Sequence, residues 1–198
     1  MWLGLVKRTV HYFEEFGAQN TDETIKAAKK AASDLGLRYV VVASGSGNTG
    51  IKVAETFRGS GVKVVVVTEY AGAVEFVEKN KKRLQKLGAT IVTGIHALLS
   101  PAESITKLYK GYCSENTIIT EVLRRFSQGT KVATEIVVMA ADAGAIPVGE
   151  DVMAIAGTGD GADTALVIRS CHADSFFDPK NGIEFREIVA LPRKKKFW

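Results

Sequence analysis

Cysteine is nearly absent from this chain of 198 residues: Cys113 and Cys171 are the two, far apart, with no C-x-x-C spacing and no histidine pair to join them. That excludes a disulfide framework and argues against a structural zinc site, so both are read as reduced, ordinary thiols. Long apolar runs are missing too. None approaches the roughly 18 residues of a bilayer span, and Met1–Arg8 lacks the ordered regions of a signal peptide. A cytoplasmic chain without membrane contacts is expected. Basic surplus is scarce outside one place, because Arg193, Lys194, Lys195 and Lys196 account for the whole formal net charge of +4. A nucleic-acid binder carries its surplus as a patch or stripe on the fold, so no nucleic-acid partner is expected, although the 193–198 tail can touch an acidic surface. With no Pro/Ser linker, repeat or low-complexity segment, residues 1–198 read as a single domain.

Glycine is abundant, at 19 residues, and several glycines punctuate a regular alternation. Val6–Phe13 suits an extended strand. Asn20 then stands as an N-cap with Glu23 three residues on, and Ile25, Ala28, Ala32 and Leu35 recur at helical spacing until Gly36. Tyr39–Ala43 and Val62–Thr68 are β-branched runs without polar alternation, as in strands buried on both faces of a parallel sheet. Ile51, Ala54 and Phe57 mark the helix between them, which completes a βαβ unit. Gly72–Leu87 predicts another helix and Ala89–Thr93 a third parallel strand. From Gly94 to Gly129 shorter helical pieces are expected, near 101–109 and 116–126, as a lid, a dimer surface or both. Lys131–Ala143 fits a buried helix ended by Gly144. Asp151–Ala156, Thr164–Arg169 and Phe185–Leu191 suggest an antiparallel edge or hairpin. The fold class is α/β, a three-layer Rossmann-like sandwich.

Two glycine-rich loops follow strands. In Ser44-Gly45-Ser46-Gly47-Asn48-Thr49-Gly50 a tight turn exposes backbone N–H groups at a helix start, which favours a phosphate. No lysine lies in the loop, which excludes a Walker A site. Gly45, Gly47 and Gly50 also match the dinucleotide fingerprint, with Glu69 ending the next strand to receive a ribose hydroxyl. Ser44, Ser46, Gly47 and Thr49 equally resemble the S/T-x-S/T-G-x-T phosphate loop of flavodoxins, which holds FMN without basic side chains. A plain strand-to-helix turn is the remaining reading. In the second loop, Gly157-Thr158-Gly159-Asp160-Gly161-Ala162-Asp163-Thr164, the two aspartates repel phosphate but accept hydrogen bonds from ribityl or ribose hydroxyls or a ring N–H. The alternative is an Asp-Gly hairpin turn.

Taken with the order of elements, Thr24–Thr68 and Lys131–Ile168 resemble the carboxy-terminal α/β domain of pyruvate kinase. Val41–Thr49 falls where that domain has its strand, T-x-S-G-x-S/T loop and helix, and Gly157–Val167 where it has its effector loop and final strand. Asn20-Thr21, Ala140–Pro147 and Gly161–Ala165 are similar to stand-alone members of this domain family. The resemblance implies a pocket built from both loops and an association with FMN. It implies no pyruvate kinase activity, since that chemistry resides in a separate barrel for which the chain leaves no room. Asn48 and Gly50 depart from the kinase loop and favour close backbone approach.

The cofactor expected is therefore FMN, bound by Ser44, Gly45, Ser46, Gly47, Asn48, Thr49, Thr68, Gly157, Thr158, Gly159, Asp160, Gly161, Asp163 and Thr164. Alternatives are a non-catalytic sensor of a phosphorylated metabolite and an NAD(P)-binding protein. A flavin-dependent oxidoreductase is the enzyme class considered, with no catalytic residue nominated. Homo-oligomers are left open. His11, His96 and His172 show no metal-ligand spacing, so no metal is expected. His96 follows a strand end and lies either at the ligand edge or on the surface. Glu135 and Asp142 interrupt an apolar helix, and a buried carboxylate there needs partners. Tyr70 is positioned to stack on a flat ring.

Overall fold

The computed structural model describes residues 4–73, 75–98, 104–105, 108–109 and 113–197. The β-branched runs form strands because their alternating side chains have two apolar faces to fill. In β2 (Tyr39–Ala43), Val40 and Val42 pack on one side of the sheet and Val41 on the other. The same alternation divides β3 (Lys63–Thr68), where Val64 and Val66 oppose Val65 and Val67. One layer of helices, α1 (Thr21–Asp34) and α2 (Asn48–Thr56), covers the first face with Ile25, Ala28, Ala32, Ile51 and Val53. α3 (Glu78–Lys86) adds Leu84 to the same side.

The opposite face is covered by a later helix. α4 (Glu115–Phe126) is amphipathic, capped by Ser114, whose hydroxyl accepts from the Thr117 N–H, and it leaves Ile118, Val122 and Phe126 exposed. α5 (Gln128–Asp142) lies beneath it and is buried almost all round, the pattern of a helix sandwiched between layers. Ala133, Ile136, Val137 and Ala140 of α5 pack on Val41, Val65, Val152 and Leu166. Each fully buried Val or Ile contributes about 1.5–3 kcal/mol.

Seven strands lie in the order β1-β7-β6-β5-β2-β3-β4. The others are β1 (His11–Phe13), β4 (Thr90–Thr93), β5 (Asp151–Ala156), β6 (Thr164–Arg169) and β7 (Glu184–Pro192). β6 is antiparallel to both neighbours, and the remaining pairings are parallel. The sheet is thus mostly parallel, with its antiparallel hairpin β5–β6 toward one edge, as the sequence predicts. After β4 the chain crosses back through α5 to lay β5 beside β2. This reversal of direction opens a crevice at the carboxyl ends of β2 and β5, where open α/β sheets receive ligands.

Several local expectations need correction. Only His11–Phe13 of the predicted first strand is paired, to β7, because Val6–Val10 has no neighbouring strand. The capping box at Asn20 does not form. A 3-10 turn over Ala18–Asn20 leads directly into α1, and the Asn20 amide donates instead to the Glu15 carbonyl at 2.7 Å. The helix expected from Gly72 begins only at Glu78. Most of the segment expected near 101–109 lies outside the described residues. The basic tail meets its acidic surface within the chain, where Arg193 pairs with Glu14 at 2.9 Å and Lys194 with Glu15.

Candidate functional site

At the crevice, the turn after β2 is held by its own polar atoms. The Ser44 N–H donates to the Val67 carbonyl at 2.9 Å, and the Ser44 hydroxyl accepts from the Gly50 N–H at 3.1 Å, which closes the first turn of α2. The Thr68 hydroxyl donates to the Gly45 carbonyl at 3.2 Å. From the far side, the Asn80 amide donates to the Ser46 carbonyl at 3.0 Å and to Asn48 Oδ1 at 2.8 Å. Gly47 is the N-cap of α2 with φ of 92°, and a Cβ there would lie 2.9 Å from Asn80 Cβ and 3.0 Å from Phe76 Cζ. Glycine is needed for both reasons. With the loop carbonyls engaged outward, the N–H groups of Ser46, Gly47, Asn48 and Thr49 donate to no other described residue.

The second loop is the β5–β6 hairpin connection, and it is bolted down from below. Asp163, fully buried, accepts from the Gly17 N–H at 2.9 Å, the Thr158 N–H at 3.2 Å and the Thr164 hydroxyl at 2.8 Å. The Thr21 hydroxyl accepts from the Ala162 N–H at 3.0 Å, and the Thr24 hydroxyl donates to the Ala162 carbonyl at 3.3 Å. Gly157 has no room for a side chain, since a Cβ would meet the Gly161 carbonyl oxygen at 2.8 Å. Thr164 is tied in turn to Ser127, the N-cap of α5, at 3.0 Å.

These restraints bring the two loops to opposite sides of one cavity of about 340 Å³. Of the residues expected to bind, Ser44, Gly45, Ser46, Thr49, Thr68, Gly157, Gly159, Asp160 and Gly161 line it. Gly47, Asn48, Thr158, Asp163 and Thr164 do not; they shape the loops. For Asp163 this reverses the expected role: its oxygens hold backbone and a threonine, so its hydrogen-bonding capacity is used inside the protein. Tyr70 lines a neighbouring depression with Phe76 and Thr93 instead of the cavity. His172 and Asp142 pair with each other at 2.9 Å on an exposed surface.

The remaining wall was not legible as such in the sequence. α5 presents Gln128, Lys131, Val132, Ile136 and Met139 to the cavity, and its own N-terminus faces the same space. Lys131 supplies the cation that the glycine loop lacks. Its side chain, 3% exposed, reaches Glu135 Oε2 at 2.6 Å, and Glu135 is itself fully buried. The same oxygen meets His96 Nδ1 at 2.8 Å. His96, carried past the end of β4, lines the cavity beside Glu69, whose Oε1 is 3.8 Å from His96 Nε2. The helical spacing of Lys131 and Glu135, one turn apart on an apolar helix, was the available signal for this ion pair. Its link to His96 needed the tertiary fold.

The profile of the pyruvate kinase alpha/beta domain family matches residues 22–168, more than half of the chain. The chain belongs to that family, the class that its sheet and two-loop crevice define. Among solved structures it is similar to a pyruvate kinase from Cryptosporidium parvum, at 12% identity and a TM-score of 0.38, over 76% of this chain and 22% of that one. A structure of C. parvum pyruvate kinase in complex with ADP matches at 15% identity and a TM-score of 0.34, over 86% and 23%. An O-ureido-L-serine synthase matches at 19% identity and a TM-score of 0.31, over 62% and 47%. The chain spans less than a quarter of the length of those kinases. Among the described residues no helix is long and apolar enough to cross a membrane.

Proposed function

We propose that this protein binds a phosphorylated ligand between its two glycine-rich loops, and that the ligand is FMN. The observation that carries the reading is the division of the cavity into two chemically different ends. One end is lined by Ser46 and Thr49 at the start of α2, where the N–H groups of residues 46–49 have no partner among the described residues, and Lys131 lines the same cavity. Such an end suits a phosphate. Beyond it, Val67, Val132, Ile136 and Met139 form an apolar wall suited to a flat ring, and Asp160 supplies an acceptor for polyol hydroxyls.

The residues present therefore fit FMN, which when bound supplies electron-transfer chemistry that the side chains lack. The chain's part is to bind the phosphate, orient the ring against α5 and keep water from it. A ligand of that size, at about −0.3 kcal/mol per heavy atom, reaches about −9 kcal/mol, a sub-micromolar affinity. The test is an absorbance spectrum of freshly purified protein, followed by titration with FMN and with riboflavin. FMN is expected to bind about a hundredfold more tightly, because riboflavin lacks the phosphate. Equal affinities would remove the phosphate assignment, and failure to bind either would turn preference to a phosphorylated metabolite sensed without catalysis.

A further inference from the structure

We infer that His96 is an acid–base group of this cavity, positioned by Glu135, whose same oxygen is also held by Lys131. The inference rests on the cavity being the ligand site proposed above, and not on FMN being the ligand. Three observations carry it. Glu135 is fully buried, yet its Oε2 receives both the Lys131 ammonium at 2.6 Å and His96 Nδ1 at 2.8 Å. A carboxylate so placed accepts a proton-bearing Nδ1, which fixes the neutral imidazole as the Nδ1–H tautomer and leaves the Nε2 lone pair available. His96 and Lys131 both line the cavity, so that lone pair stands beside the space a ligand occupies.

Glu69 completes the arrangement, with Oε1 3.8 Å from His96 Nε2 and partly exposed. The charged groups facing the imidazole are therefore Glu135 and Lys131 from α5 and Glu69 from the end of β3, with Asp160 across the cavity. The step is a proton transfer. An O–H or N–H bond of a molecule held in the cavity breaks, its electron pair stays on that oxygen or nitrogen, and the proton forms a bond to Nε2. The resulting imidazolium lies between two carboxylates, and the reverse step returns the proton. Glu135 Oε1 has no hydrogen-bond partner among the described residues although it is buried. That oxygen is fully enclosed and Glu135 does not line the cavity, so a bound molecule meets this cluster through His96 and Lys131.

The exposed His172–Asp142 pair and His11 serve as internal controls. Ring ¹⁵N spectra of the ligand-free protein, recorded with the imidazoles neutral, are expected to give His96 as the Nδ1–H tautomer. In Glu135→Gln that preference is lost, and modification of His96 by diethyl pyrocarbonate, followed by mass spectrometry, changes about tenfold while His11 is unaffected. Because Glu135→Gln leaves the Lys131 charge buried, the double variant Lys131→Met/Glu135→Gln is measured beside it. An Nε2–H tautomer in the unmodified protein, or a tautomer and rate indifferent to both variants, would overturn the inference. Millimolar FMN is expected to shield His96, but not His11, from the reagent. Absence of shielding with the tautomer as expected overturns FMN as the ligand and leaves His96 positioned by Glu135.

Discussion

The two glycine-rich loops look alike in composition and do opposite work. Residues 44–50 join a parallel strand to a helix; the Ser44 and Gly50 N–H groups and several carbonyls are engaged, and the N–H groups of residues 46–49 have no partner among the described residues. Residues 157–164 join two antiparallel strands, and their acid, Asp163, turns inward to satisfy the N–H groups of Gly17 and Thr158. The first loop has donors to offer a ligand; the second spends its best acceptor on its own foundation. Glycine content alone does not distinguish them. Chain direction does, because a helix start leaves donors unpaired whereas a hairpin must close upon itself.

Asp163→Ala should have the largest effect, and on stability. It leaves two backbone donors and the Thr164 hydroxyl without their acceptor at a fully buried position, a loss of about 3–5 kcal/mol in urea unfolding. A loss under about 1 kcal/mol would mean that the contacts of Thr21 and Thr24 with Ala162 suffice to hold the hairpin. Thr49→Glu should act on the other loop with the opposite signature. A carboxylate at the bottom of the phosphate end costs about 3 kcal/mol of FMN affinity or more, since like charges at about 4 Å and an effective dielectric near 20 repel by about 4 kcal/mol. Stability should stay level or rise by a few tenths of a kcal/mol, because an acid in the first turn of α2 suits the helix dipole. Titration calorimetry beside thermal unfolding separates the two, and unchanged FMN affinity would remove the loop assignment.

Gly47→Ala should fall between these, because Gly47 serves both geometry and binding. Its φ of 92° and the Asn80 and Phe76 atoms within 3.0 Å of a new Cβ predict a cost of about 1–3 kcal/mol in unfolding. Relief of that clash moves Asn80 away from the Ser46 carbonyl and turns the loop's donors from the phosphate, so FMN affinity should drop about tenfold. A stability loss with affinity intact would show that the donors of residues 46–49 are not the ones the ligand uses.

The strands and helices were legible wherever hydrophobic period and glycine punctuation agreed. Tyr39–Ala43, Asp151–Ala156 and Thr164–Arg169 carry their boundaries in β-branched runs, and Gly36, Gly88 and Gly144, each with positive φ, stop helices as expected. Val6–Val10 misled because an extended segment becomes a strand only with a neighbour to pair. Both loops were legible as walls of one pocket, but the third wall was not. Lys131, Val132, Ile136 and Met139 sit in a helix whose apolar pattern says only that it is buried; which side meets a cavity depends on the crossover that lays β5 beside β2. Glu135 was recognised as a carboxylate needing partners, and one of them, Lys131, lies within the same helix. The other, His96, lies 39 positions away in sequence, and no local pattern connects them.

Asp160→Asn should have the smallest effect and is the sharpest test of whether the second loop touches ligand at all. Asp160 lines the cavity and lies at the hairpin tip, away from the buried hydrogen bonds of Asp163, so stability should change by no more than about 0.5 kcal/mol. Binding is where two effects oppose. Removing a negative charge from the cavity favours any phosphate, and removing a carboxylate acceptor disfavours a ligand whose hydroxyls donate to it. Inorganic phosphate senses only the first effect, and FMN senses both. If Asp160 accepts from the ribityl chain, phosphate should bind somewhat more tightly to Asp160→Asn while FMN binds about threefold to tenfold more weakly. Should both tighten by the same factor, the aspartate acts only through its field, and the ligand-binding part of the second loop reduces to its backbone.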